Sequence, residues 1–229
     1  MFEGKMAEAW RVMRIQSELV DGIEKLIKLG PAVTIFGSAR FDADNPYCQD
    51  AARLAAHFAK EGLAVITGGG PGIMEAANRG CYQHGGKSVG LNIQLPQEQS
   101  ANRQQTISLD FRYFFVRKFM FVKHAVGFVI YPGGFGTMDE LFEILTLVQT
   151  RKTGTFPIVL VGRSYWQGLL DWMQHTMLEG HHCISPEDLQ LLQVVDTAEE
   201  AACLILDCHR SNPQNVAYDD ISEKALLGY

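Results

Sequence analysis

The chain has 229 residues, 47% of them hydrophobic and 20% charged, which is ordinary for a globular protein and fits one α/β domain better than two small ones. A formal net charge of -6 gives little electrostatic support to non-specific nucleic-acid binding. No apolar run approaches the ~20 residues of a membrane span, and "MFEGKMAEAWRVMRI" mixes charges through its apolar residues in a way unlike a signal peptide. The five cysteines are odd in number and scattered without a C-x-x-C pair, so reduced thiols in a soluble, cytoplasmic protein are the expectation.

In chain order, Trp10, Met13, Val20, Ile23, Leu26 and Ile27 recur at helical spacing over residues 6–29, and Gly30-Pro31 ends that helix. "AVTIFGS" (32–38) reads as a buried parallel strand. Residues 45–62 give a helix with Leu54, Ala55 and Phe58 on one face. "LAVITGGG" (63–70) repeats the strand-then-glycine pattern, and the helix over 72–85 follows, with Pro71 suited to an early helical position. "KSVGLNIQL" and "QTISLDF" read as strands flanking a polar loop over 96–103. "RYFFVRKFMFVKHA" (112–125) reads as a helix despite its aromatics, because strand "VGFVIYPGG" comes at once. A helix over 137–152, a strand over 156–162, a helix over 165–179 and the pair "LLQVVD" and "TAEEAACLILDCHR" complete the series.

This alternation predicts a single-domain, Rossmann-like, doubly wound parallel sheet with helices on both faces. The expected organisation is a helix over 1–30 packed on the domain, a nucleotide-binding catalytic domain over 31–210 and a polar tail over 211–229. In such sheets ligands sit beyond the carboxyl ends of the strands. Three strand ends here are glycine-rich, "FGSAR", "TGGGPG" and "YPGGFGT", and all three fall on that edge.

A glycine at such a turn admits positive φ and lets backbone N–H groups come close to an anion, with a helix N-terminus adding its own amides. Gly133, Gly134 and Gly136 therefore read as a phosphate loop, or as a structural turn. Thr137 follows as either helix cap or phosphate ligand. Gly69, Gly70 and Gly72 offer a second close approach. The chain has no G-x-x-x-x-G-K-[ST], which disfavours an NTP-hydrolysing P-loop. After "GGGPGIME" the next strand ends without the acidic residue that would hold an adenosine ribose, which leaves a nicotinamide dehydrogenase as runner-up.

"YPGGFGTMDE" resembles the P-G-G-x-G-T-x-x-E signature of the LOG ("Lonely Guy") family of cytokinin riboside 5′-monophosphate phosphoribohydrolases, historically labelled as lysine decarboxylases. "FGSAR" and "GGGPGIMEAANRG" resemble its first two loops, and "RYFFVRKFMFVKHA" its Arg-Lys helix in longer bacterial members. The resemblance runs from about Ala32 to Val195. It implies a Rossmann-like hydrolase that cleaves the N-glycosidic bond of a purine nucleoside 5′-monophosphate, cytokinin-type or AMP, into free base and ribose 5-phosphate. It also implies a homodimer, no metal and no cofactor, with the essential residues falling on Arg117 and Glu140. A non-catalytic carrier similar to the molybdenum-cofactor carrier proteins is the alternative.

The chemistry agrees with these positions. Cleavage builds positive charge on the ribose and negative charge on the base. Glu140, placed in the first turn after the glycines where the helix N-terminus favours its ionised form, would attend the sugar. Arg117 brings a permanent cation with a fork of donors for phosphate or base, and Lys118 a point charge for the substrate. Asp139 and Glu143 read as capping or solvent-facing, with Glu143 able to order the surroundings of Glu140. Ser38 and Arg40 suit base or phosphate, and Met74 suits the base. Phe111, Tyr113 and Phe135 suit either an apolar base pocket or the core. His124 reads as packing, and His181-His182 as a surface helix end rather than a metal site. An amino-acid decarboxylase would need a Schiff-base lysine, and Lys87, Lys118, Lys123 and Lys152 have no such context.

Overall fold

The apolar runs become the strands β1 (Ala32–Phe36), β2 (Ala64–Thr67), β3 (Ser88–Ile93), β4 (Ile107–Phe111), β5 (Ala125–Ile130), β6 (Ile158–Val161) and β7 (Leu192–Val195). The computed structural model describes residues 2–95 and 101–213, with side chains from residue 8 onwards. Strands β1, β2, β5 and β6 are buried at every position, which a sheet covered on both faces demands. The order is β4-β3-β2-β1-β5-β6-β7, and every pairing is parallel. This is the doubly wound sheet that the alternation predicts.

The helices are α1 (Phe2–Leu26), α2 (Pro46–Lys60), α3 (Ile73–Gln83), α4 (Phe114–Lys123), α5 (Phe135–Gln149), α6 (Arg163–Trp172), α7 (Pro186–Leu189) and α8 (Ala198–Ser211). One face of the sheet packs Phe36, Ile66, Leu91, Phe128 and Ile130 against Leu26, Met120, Phe121, Leu141 and Trp166, from α1, α4, α5 and α6. The other packs Val33, Ile35, Val65 and Val129 against Leu54, Phe58, Ala77 and Ile205, from α2, α3 and α8. Asn45 caps α2 by accepting from Tyr47 N, and Thr197 caps α8 by accepting from Glu200 N.

Several boundaries differ from the sequence expectation for definite reasons. Helix α5 starts at Phe135, two residues before the expected Thr137, because Gly134 itself takes the cap position. The helix expected over 165–179 begins at Arg163 and continues past Trp172 as a π-helical stretch, Met173–Gly180. Pro71 lies outside α3, whose cap is Gly72. Four of the six apolar residues that signalled α1 are exposed, namely Trp10, Met13, Val20 and Ile27. The other two, Ile23 and Leu26, turn to the core, joined by Ile15 and Leu19. The carboxylate of Glu18 accepts from the Arg112 and Tyr113 amides just before α4, and Gly22 lies under the Met120 side chain. The first five residues of the polar loop after Leu95, and the tail from residue 214 on, lie outside the described residues. Among the described residues, no helix is long and apolar enough to cross a membrane.

Candidate functional site

The strand order reverses between β1 and β5, so the segments leaving these two neighbours diverge to opposite faces and open a crevice at their carboxyl ends. Backbone bonds draw the three glycine-rich segments together there. Ser38 N donates to Pro132 O at 2.9 Å, and Ile73 N donates to Ser38 O at 3.0 Å. A cleft of about 720 Å³ results, lined by Ser38, Gly69, Gly70, Met74, Arg117, Gly133, Gly134, Gly136, Thr137 and Glu140. Arg40 and Phe135 line it too, whereas Phe111 is buried in the core and Tyr113 packs against it. Lys118 is not a lining residue.

The glycines differ in what demands them. Gly69 (φ 73°) and Gly72 (φ 68°) adopt left-handed backbone, and a side chain at Gly72 would run into Ser38 O. That space belongs to the neighbouring loop, not to a ligand. Gly133, Gly134 and Gly136 have no positive φ. At Gly133 a side chain would strike Thr137 Oγ1, whose hydroxyl therefore packs on the loop, and Thr137 is the third residue of α5 rather than its cap. At Gly134 and Gly136 an added Cβ would meet nothing within 4 Å. These two glycines leave open space beside the first turn of α5, where the leading amides of a helix have no intrahelical acceptor.

Arg117 is anchored by main-chain carbonyls: Nε donates to Leu91 O at 2.7 Å and Nη2 to Gly68 O at 3.1 Å. Its guanidinium also lies over the Phe121 ring, 4.9 Å from the centroid. Burial lowers its pKa to about 10, against the pull of the Glu140 carboxylate. A side chain at Gly68 would collide with this guanidinium, so that glycine exists to admit Arg117.

Glu140 is the sixth residue of α5, and no acid lies in the first helical turn. The dipole effect falls off within that turn, so the expected help to ionisation is absent. Burial dominates instead and raises its pKa to about 7, opposed by Lys118 and Arg117 and reinforced by Glu143. Lys118 Nζ lies 2.9 Å from Asp139, 3.4 Å from Glu140 and 2.5 Å from Glu143. Burial lowers the Lys118 pKa, but the three carboxylates outweigh it and hold it above its ordinary value.

Sequence reasoning missed the groups that fasten the loops. Tyr165 Oη, at the start of α6, donates to Gly133 O at 2.5 Å and lines the cleft. Asn102 Nδ2 donates to Gly69 O and Gly70 O, both at 3.0 Å, and Gln105 Nε2 to Gly69 O at 3.1 Å. The only local signal was a run of polar amides before a strand, "ANRQQT". Among the described residues, no group of three or more His, Cys, Asp or Glu side chains is placed to hold a metal ion.

A doubly wound α/β protein with an anion-suited cleft at its switch point is the class these features define. A family model described as "Possible lysine decarboxylase" matches residues 74–205, and the chain belongs to that family, the LOG family. It is 30% identical over 159 residues to the cytokinin riboside 5′-monophosphate phosphoribohydrolase of Mycobacterium tuberculosis, covering 66% of this chain and 81% of that one. It is 27% identical over 159 residues to a "Probable cytokinin riboside 5′-monophosphate phosphoribohydrolase" of Oryza sativa subsp. japonica. That match covers 67% of this chain but only 62% of the rice protein. The solved molybdenum cofactor binding protein of Rippkaea orientalis shares the fold, with TM-score 0.57, 18% identity, and 78% and 96% of the two chains covered.

Proposed function

We propose that the protein hydrolyses the N-glycosidic bond of a purine nucleoside 5′-monophosphate, giving the free base and ribose 5-phosphate. The observation that carries this reading is the pairing of open glycines with charge. Gly134 and Gly136 are needed neither for a left-handed turn nor to clear a protein neighbour, yet they line a cleft that also holds Arg117 and Glu140. In this reading Gly133, Gly134, Gly136 and Thr137 receive the 5′-phosphate at the α5 N-terminus. Glu140, ionised, stabilises the cationic sugar and takes a proton from the attacking water. As C1′ bonds to the water oxygen, the C1′–N bond electrons leave with the base, which takes up a proton. Arg117, with two of its donors fixed on Leu91 and Gly68 carbonyls, presents the remainder to base or phosphate. Ser38, Gly69, Gly70 and Met74 complete the pocket for base and ribose, and Lys118 acts from behind Glu140 rather than on substrate.

The purine, prenylated or plain, packs among Met74, Phe114 and Phe135 on this reading. The exposed rings of Phe114, Phe115 and Phe135 near the cleft support a homodimer, with sedimentation velocity as its test. The names of the relatives support the reaction, and among the described residues no lysine lines the cleft for a decarboxylase Schiff base. The test is to incubate the protein with AMP and with an N6-prenylated analogue and to follow released base by chromatography. Base released by wild type and lost in Glu140→Gln and Arg117→Ala supports the proposal. Tight binding with no turnover in any form assigns the protein to the carrier class.

A further inference from the structure

The turn of α5 after the glycines carries three acids, Asp139, Glu140 and Glu143, against one ammonium from α4. Glu140 and Glu143 are three residues apart, so they share a helix face. The Lys118 side chain, 13% exposed, lies between them. Its ammonium sits closer to Glu143 (2.5 Å) than to Glu140 (3.4 Å), although Glu140 has the more buried side chain, 10% of it exposed against 35% for Glu143. Lys118 faces all three acids and Arg117 faces Glu140, so two positive and three negative charges leave one negative charge in surplus. Asp139, 61% exposed, keeps its solvation, so the surplus bears hardest on the buried Glu140.

We propose that Lys118 and Glu143 are positioning residues for Glu140: the ammonium is divided between the two glutamates, and that division sets how much negative charge Glu140 presents to the cleft. The inference rests on the reading that Glu140 acts on a substrate there. The other groups facing the site are Arg117 from α4, Arg40 from the loop after β1 and Tyr165 from α6, none of which touches the Lys118 ammonium in the contacts described. The raised pKa of Glu140 has the signs this arrangement requires, with Lys118 pulling it down and Glu143 pushing it up.

Two substitutions move Glu140 in opposite directions, which a merely structural role does not. Lys118→Met removes the cation, so the ionisation of Glu140 shifts to higher pH, by about one unit or more for a partner at this range. Glu143→Gln removes an anion and releases the ammonium to Glu140, so the ionisation shifts to lower pH by a similar step. The experiment measures the pH dependence of kcat/KM on the prenylated and plain nucleoside monophosphates in the full chain. In parallel, Glu140 is titrated directly by carboxyl ¹³C NMR, assigned through Glu140→Gln. Opposite shifts, with Lys118→Arg near wild type, support the proposal. Shifts of the same sign, or none in the folded Glu143→Gln protein, overturn it. Because Glu143 is half-exposed, that variant decides the matter even where Lys118→Met fails to fold. If wild type releases no base while the NMR shifts are opposite, the proposed reaction falls and the positioning of Glu140 stands.

Discussion

Asp50, on the face of the sheet covered by α2, α3 and α8, and Glu140, on the opposite face, are carboxylates of nearly equal burial, at 7% and 8% exposure. They are partnered in opposite ways. Asp50 accepts from Tyr131 Oη at 2.9 Å, from Ala198 N at 3.2 Å and from Arg53 Nη2 at 2.5 Å. It thereby pins α2 to the end of β5 and to the first turn of α8. Among the described residues, Glu140 has part of one ammonium, at 3.4 Å and shared with two other acids, with the Arg117 guanidinium near enough to attract it. A buried acid with a full set of donors is a fastener, and one that is short of them is left ready for a ligand or a proton.

That contrast can be broken from either side. The largest effect is expected on chemistry: Glu140→Gln lowers base release by about 10³-fold, the scale of a lost general base, whereas Asp50 variants that remain folded keep kcat within a few fold. Next in size, Asp50→Ala leaves a tyrosine hydroxyl, a helix amide and a guanidinium without their acceptor and costs about 3 kcal/mol in urea denaturation. Glu140→Gln goes the other way above neutral pH. The folded pKa of Glu140, about 7, exceeds the ordinary 4.5, so its contribution to stability is fully present below 4.5 and is lost as pH rises through 7. The Gln variant is therefore more stable than wild type at pH 8, by on the order of 2 kcal/mol, and the difference closes towards pH 4.5. Denaturant titrations at the two pH values check this, and a Gln variant less stable at pH 8 contradicts the comparison. The smallest effect is Tyr131→Phe, which removes one of three donors to Asp50 and costs about 1 kcal/mol.

Much of the fold was legible because its signals are local. Strands β1, β2 and β5 announce themselves as apolar runs ending in glycine, and the pattern alone puts those ends on one edge. The alternation of strand and helix then gives the parallel sheet. Most of the residues lining the cleft come from the same three motifs and from the Arg-Lys helix, whereas Asn92, Ile93, Leu95, Ala101 and Tyr165 lie outside them. What was not legible depends on partners far apart in the chain. Asp50 and Tyr131 are 81 positions apart, and nothing in "CQDAAR" marks that aspartate as a fastener. Tyr165 reaches Gly133 across 32 positions. Lys118 beside Arg117 looked like a second substrate cation, because a sequence cannot say to which side of a helix packed on both sides a side chain turns. The sequence places Glu140 in the first turn because a glycine reads as a loop, yet Gly136 is already helical.

The bond from Ser38 N to Pro132 O joins the two halves of the winding, residues 94 positions apart, at the mouth of the cleft. Neither half owns the site. The pocket comes into being only when β5 docks beside β1, a closure of long sequence separation. A ligand that fits the pocket thus recognises the finished sheet and nothing before it, and its binding free energy is added wholly to the native state. Fragments cut between β4 and β5 would each keep neighbouring strands and lose recognition altogether. The cleft is in this sense a seal on the completed molecule.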